Sequence, residues 1–410
     1  MDTRLSALLS NDASALEARE LLLSCVHCGF CTATCPTYQL LGDELDGPRG
    51  RIYLIRQLLE SGRSSAQTRV HLDRCLLCRS CETTCPSGVN YHQLLHLGRK
   101  LSGKLKPLPL PQRILRATLR GILPYPRRVR ALAAMGRLAR PLLPGKIRNK
   151  IPARQRRKPL PGTTHARKVL LFQGCVQSAV AQGINDATRR VLDRLGIECL
   201  TVAREHCCGA VPHHLDAENQ AREMARHNID QWLPLLRDGA EALLITSSAC
   251  ALEIQEYPQL FTDDPALEQK AIELLQHCQE IGSFLHKQET KNLQLAKPRS
   301  MAFHAPCTLQ HGLVSAEHTT DLLSRLGFEL HVPRDNHLCC GSAGTYSLQH
   351  PRLADELRRN KLDALTEIGI DCIASANIGC LLHLQETSPR PVKHWIEWLD
   401  EILEQQSARS

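Results

Sequence analysis

The chain has 410 residues, too many for one ordinary domain and enough for two or three. Hydrophobic residues make up 42 % and charged residues 23 %, close to a soluble norm, and aromatics only 4 %, which argues against base-stacking nucleic-acid modules. No apolar run approaches the ~18 residues of a bilayer span, and Met1-Asp2-Thr3-Arg4 opens no export signal. The 19 cysteines are odd in number, so with no export signal they read as reduced, metal-binding thiols.

In chain order, the first feature is a pair of identical runs. Cys25, Cys28, Cys31, Cys35 and Pro36 make C-x2-C-x2-C-x3-C-P, and Cys75, Cys78, Cys81, Cys85 and Pro86 repeat it fifty residues on. Three thiolates two residues apart can fold around one cubane, while the fourth opens a helix leading away and serves the neighbouring cluster. Two [4Fe-4S] clusters are expected. One takes Cys25, Cys28, Cys31 and Cys85, the other Cys75, Cys78, Cys81 and Cys35. The competing reading is a pair of zinc sites, whose ligands usually come as two short cysteine pairs with a longer gap. Gly50 to Glu60 carries Ile52, Ile55, Leu58 and Leu59 at helical spacing. Gly47-Pro48-Arg49-Gly50 reads as the start of that helix rather than an anion loop. The 39 residues between Cys35 and Cys75 exceed a compact small ferredoxin, so a helical ferredoxin domain over 1–100 is expected.

A linker over 101–167 follows. From Arg99 to Lys168 there are 21 Lys or Arg and no Asp or Glu, against a whole-chain charge of +9, so the remainder is net −12. Ten prolines break this stretch into one or two short helices, such as Arg127 to Arg140. It reads either as a solvated arm or as a docking surface for anionic lipid or an acidic partner.

The back part is duplicated. Cys175 precedes Cys207-Cys208-Gly209 by the same distance as Cys307 precedes Cys339-Cys340-Gly341, and Cys250 and Cys380 complete the sets. Predicted strands are Lys168 to Phe172, Glu198 to Val202 and Ala242 to Thr246, then Met301 to His304, Glu329 to Val332 and Cys372 to Ser375. Helices run about Ile184 to Leu195, Ala217 to Leu236, His318 to Leu326 and Arg352 to Leu365. Alternation of this kind implies parallel βαβαβ units, with every candidate ligand beyond the carboxyl end of a strand. The domains are expected over 168–290 and 299–400. Cys199 and Cys372, in strands, and Cys278, in a helical stretch, read as core packing. His27, His206, His304 and His337 either tune sulfur by hydrogen bonding or are ordinary polar residues.

The two copies resemble the cysteine-rich CCG domains of the heterodisulfide reductases and their relatives. With two ferredoxin motifs in front, and stretches such as Cys25-Val26-His27-Cys28-Gly29-Phe30-Cys31 and Asp46-Gly47-Pro48-Arg49-Gly50-Arg51, the whole chain is similar to the glycolate oxidase type of iron–sulfur subunit. The resemblance implies a hetero-oligomer. Flavin-containing subunits would carry FAD and oxidise glycolate to glyoxylate, and this chain would relay electrons toward a membrane quinone. Lactate, glycerol 3-phosphate and heterodisulfide chemistry are the alternatives. The expected place is the cytoplasm or the cytoplasmic face of the inner membrane, with no nucleic-acid partner. The fuller CCG pattern ends in C-x2-C, but Ser247 and Asn377 stand at the first of those positions. Each copy therefore offers four thiols, enough for a cubane or zinc, or a vestige that only packs.

Overall fold

The computed structural model describes residues 3–155, 158–367 and 369–408; Met1, Asp2 and two arginines of the basic linker, Arg156 and Arg157, lie outside them. Two compact units emerge: Met1–Ala117 with His337–Lys361, and Thr118–Asn336 with Leu362–Ser410.

The first unit is helical. Helices α1 (Ala13–Leu23), α2 (Pro36–Leu41), α3 (Pro48–Ser61), α4 (Ala66–Asp73), α5 (Ser80–Thr83) and α6 (Tyr91–Leu105) surround the two cysteine runs. Pro48 occupies the first turn of α3, where its missing N–H costs nothing, so the Gly47–Gly50 stretch is a helix start as read. Ile52, Ile55, Leu58 and Leu59 on α3 pack with Leu94, Leu95 and Leu101 on α6 in one core. The helices cross closely because α6 carries Gly98: a Cβ there would sit 2.7 Å from Ile55 Cδ1.

The linker forms α7 (Leu110–Ile122), α8 (Pro126–Ala139) and the short α9 (Gly145–Arg148). Among the described residues, no helix is long and apolar enough to cross a membrane.

The second unit contains two parallel sheets of the same topology. Strands β1 (Arg167–Leu171), β2 (Ile197–Leu200), β3 (Leu243–Ile245) and β4 (Cys278–Glu280) lie in the order β2-β1-β3-β4. Strands β5 (Arg299–His304), β6 (Phe328–His331), β7 (Cys372–Ser375) and β8 (Val392–His394) lie in the order β6-β5-β7-β8. Leu170 pairs with Leu200 on one side and Leu243 on the other; Met301 likewise pairs with Leu330 and Cys372. The helices Gln182–Asp193, Glu218–Arg237, Ala316–Leu326 and Pro351–Thr366 fall where periodicity placed them. The expected α/β alternation holds, with one extension and one correction. Each sheet gains a fourth strand of three residues, too short to show a period. Cys278 begins β4 rather than lying in a helix, because the helix Pro265–Leu275 stops before it. Its side chain packs on the core of copy one, as do Phe172 and Trp232, whose rings meet edge-on at 5.5 Å.

Candidate metal centres

In both ferredoxin runs the same two backbone positions are left-handed: His27 (φ 61°) and Gly29 (φ 87°), then Leu77 (φ 54°) and Arg79 (φ 60°). Such values cost a non-glycine residue about 1–2 kcal/mol, so each loop is held by something other than its own preference. The turn brings the Leu77 N–H to 3.5 Å from Cys75 Sγ, and the His27 ring to 3.9 Å from Cys25 Sγ. One cavity is lined by Cys25, Cys28, Cys31 and Cys85, the other by Cys35, Cys75 and Cys78, and Cys81 borders both. Burial, with the charges of Cys25 and Cys85 next in weight, pushes the Cys31 thiol up to about 11. Burial, Cys78 and Cys75 hold the Cys81 thiol well above its ordinary value. Soft thiols crowded in this way ionise together only around a compensating cation, so the donor set fits an iron–sulfur cluster.

A charged network that sequence reasoning missed backs the second cavity. Asp46 is fully buried and faces Arg74 at 2.8 Å, His71 at 3.1 Å and Arg51 at 3.6 Å. Arg51, equally buried, donates to His71 O at 2.7 Å and Thr37 Oγ1 at 3.1 Å. Thr37 in turn donates to Asp46 O at 2.7 Å and sits 3.3 Å from Cys35 Sγ. The ligand turn at Cys35 is thus tied to a buried ion group. Tyr91 OH lies 4.0 Å from Cys75 Sγ on the other side.

In copy one, Cys175 opens helix α10 (Cys175–Val180) behind Gly174, Cys207 and Cys208 follow β2, and Cys250 lies in the helix Ser248–Gln255. Cys207 Sγ is 3.2 Å from Cys175 Sγ. Hydrogen bonding with Cys175 and Cys208 holds Cys207 well below the ordinary thiol value; the same contacts, with burial, raise Cys175 and Cys208, the latter also bonded to Cys250. The four thiols therefore form a chain of contacts, Cys175 with Cys207, Cys207 with Cys208 and Cys208 with Cys250. Asn228 and Tyr257 fix the loop: Asn228 Nδ2 donates to Cys207 O at 3.1 Å, and Tyr257 OH to Cys208 O at 2.9 Å. The available signal was Asn228 itself, a polar residue within the buried stripe Met224, Ala225, Ile229 and Trp232. His206 stacks on His227 at 3.8 Å between ring centres.

In copy two, Cys307 and Cys380 belong to the second unit and Cys339 and Cys340 to the first. Gly341 N lies 3.4 Å from Cys339 Sγ, and Asn377 Nδ2 lies 3.3 Å from Cys380 Sγ. His304 is buried at the end of β5, and His337 is half-buried. The two positions that depart from C-x2-C meet each other: Ser247 Oγ donates to Asn377 Oδ1 at 2.8 Å. They bond the repeats together instead of supplying thiolates. Cys199 lies in β2 and Cys372 in β7, as read.

A helical two-run ferredoxin region with two parallel CCG repeats defines an iron–sulfur protein. The family described as a 4Fe-4S dicluster domain matches residues 21–89, and that described as a cysteine-rich domain matches 169–255 and 301–385. The glycolate oxidase iron–sulfur subunit of Escherichia coli K12 is 48 % identical over 407 residues, 99 % of this chain and 100 % of that protein. The probable counterpart of Bacillus subtilis is 28 % identical over 89 % of this chain and 88 % of its own length. Lactate utilization protein A of Shouchella clausii is 26 % identical over 53 % of this chain and 89 % of its own. A hypothetical protein from Helicobacter pylori shares the fold alone, with TM-score 0.55 and 9 % identity over 88 % of this chain and 67 % of that one. The chain belongs to the family of glycolate oxidase iron–sulfur subunits.

Proposed function

We propose that this chain is the electron-transfer subunit of a multi-subunit glycolate oxidase. Flavin-containing partners would carry FAD and oxidise glycolate to glyoxylate, and this chain would carry the electrons toward an acceptor such as a membrane quinone from the cytoplasmic face. The carrying observation is the pair of adjacent thiol-lined cavities in a chain similar over its full length to such a subunit. The ligand sets in this reading are Cys25, Cys28, Cys31 and Cys85, and Cys75, Cys78, Cys81 and Cys35; Cys175, Cys207, Cys208 and Cys250 make a third set, with Cys307, Cys339, Cys340 and Cys380 its counterpart. When bound, [4Fe-4S] clusters supply one-electron steps that split the flavin's electron pair. The chain's own residues hold the thiols, exclude water and bring N–H groups such as that of Leu77 to sulfur, and no general acid or base is required. The domain division 1–100, 101–167, 168–290 and 299–400 belongs to the same reading.

The isolated chain should not oxidise glycolate, and activity should appear on adding the flavin partner. Glycolate turnover by the purified chain alone, or a complex that strongly prefers lactate, would overturn the proposal. The lactate reading draws on the shorter Shouchella clausii relative, which spans about half of this chain. Heterodisulfide chemistry is disfavoured because Ser247 and Asn377 are committed to each other.

A further inference from the structure

The basic linker presents a surface that electron relay does not explain. Helix α8 is anchored on one side: Tyr125, its N-cap, packs on the core of copy one, and Val129 is buried. That side rests on α10, the helix that begins at Cys175. The opposite side is bare. Leu132 is 51 % exposed, Met135 59 %, Leu138 83 %, and Leu142, just past the helix, 89 %. At about 100° per residue the three helical side chains fall within an arc of about 120°, so they form one stripe rather than scattered exceptions. Arg127 and Arg130 stand exposed along one edge of it, and Arg140 at its end is exposed too. No Asp or Glu occurs between Arg99 and Lys168 to balance them.

We propose that α8 lies in the headgroup plane of an anionic phospholipid bilayer, with Leu132, Met135, Leu138 and Leu142 inserted below the phosphates and the flanking arginines paired to them. Two features favour lipid over a protein partner. The stripe is one helix of 14 residues, about 21 Å long, and four side chains fall well short of the ~800 Å² per partner that a stable protein interface buries. A bilayer needs only an apolar stripe plus a basic flank, since these two signals together give anchoring that neither provides alone. Because α8 sits directly on α10, this contact would place the copy-one thiols one helix from the membrane surface. That deepens the proposed function, resting on its membrane acceptor, by naming the face turned toward it.

The test uses the full chain, purified anaerobically with its clusters. Its sedimentation with vesicles of phosphatidylcholine alone is compared with vesicles containing phosphatidylglycerol. Wild type should sediment only with the anionic vesicles, and added salt should release it. Met135→Asp with Leu138→Asp should weaken the partition at least tenfold, and Arg127→Ser with Arg130→Ser should weaken it and flatten the salt dependence. All four side chains are exposed, and the variants' cluster absorption and iron content should match wild type. Equal sedimentation of the apolar variant, or no preference of wild type for anionic vesicles, would overturn the proposal. So would a variant that keeps vesicle binding but no longer assembles with the flavin subunits, since α8 would then be a protein interface. None of these outcomes bears on glycolate-dependent reduction of the clusters in the assembled complex, which tests the electron-relay reading separately.

Discussion

Replacing Asp46 by Asn keeps the shape of the side chain and removes its charge. The buried guanidinium of Arg51 then keeps its desolvation cost and loses its carboxylate partner, 3.6 Å away. His71 and Arg74 lose the same partner at 3.1 and 2.8 Å. Breaking a buried pair from one side costs about 3–5 kcal/mol. The damage should be local, because Thr37 links the Asp46 carbonyl to Cys35 Sγ. A loss of that size raises the opening equilibrium of the Cys35 turn by roughly two to three and a half orders of magnitude. Iron release to a chelator, followed anaerobically by the decay of cluster absorption, reads that opening where closing is faster than capture. Asp46→Asn should therefore show one fast phase carrying about half of the iron, with the cluster on Cys25, Cys28 and Cys31 released near the wild-type rate. A variant whose release is within a few-fold of wild type would refute the coupling of this ion group to Cys35. Uniform acceleration of both phases would refute its confinement to the second cavity.

Cys85→Ser should damage the cluster built on Cys25, Cys28 and Cys31 rather than the one nearer in sequence; resolved spectra in which only the Cys75 cluster is lost would reject the crossed sets. Burial lowers His394 from 6.5 to about 4, while the Thr246 carbonyl, 2.8 Å from Nε2, opposes that shift. The unfolded chain then takes a proton that the folded chain refuses, so this contribution is intact above about pH 6.5 and is lost as pH falls through 4, up to about 3 kcal/mol. His394→Gln should flatten the wild-type fall in unfolding temperature across that window, and an identical slope would show that His394 does not carry it. Gly50→Ala should lower stability and iron content together, since its Cβ would sit 2.1 Å from Glu44 O and 2.8 Å from Leu45 Cα, backbone atoms that cannot swing aside. Gly121→Ala, inside helix α7 where nothing lies within 4 Å, should be at least as stable as wild type and is the control.

Much of the candidate site could be read before any fold was known. A C-x2-C-x2-C-x3-C-P run limits the reach of its own thiols, so the grouping of Cys25 with Cys28 and Cys31 is a local property of the chain. The matching cysteine spacing of the two repeats and the placing of cysteines beyond strand ends are also legible along the chain, because buried parallel strands announce themselves by apolar runs such as Val169 to Phe172. The strands β4 and β8 were not legible. Three residues carry no period, and they are strands because Ile245 pairs with Glu280 and Ser375 with His394. Cys278 followed a helical pattern and became a strand for that reason.

What the order of residues determined is therefore which thiols exist, in what groups, and on what kind of secondary structure. The three-dimensional fold decided which charges and amides stand behind them: Asp46 with His71 and Arg74, Asn228 with Cys207, Ser247 with Asn377. Those partners are separated by between 21 and 130 positions. Interactions across such loops depend on where packing brings the ends together, and no spacing rule along the chain encodes that.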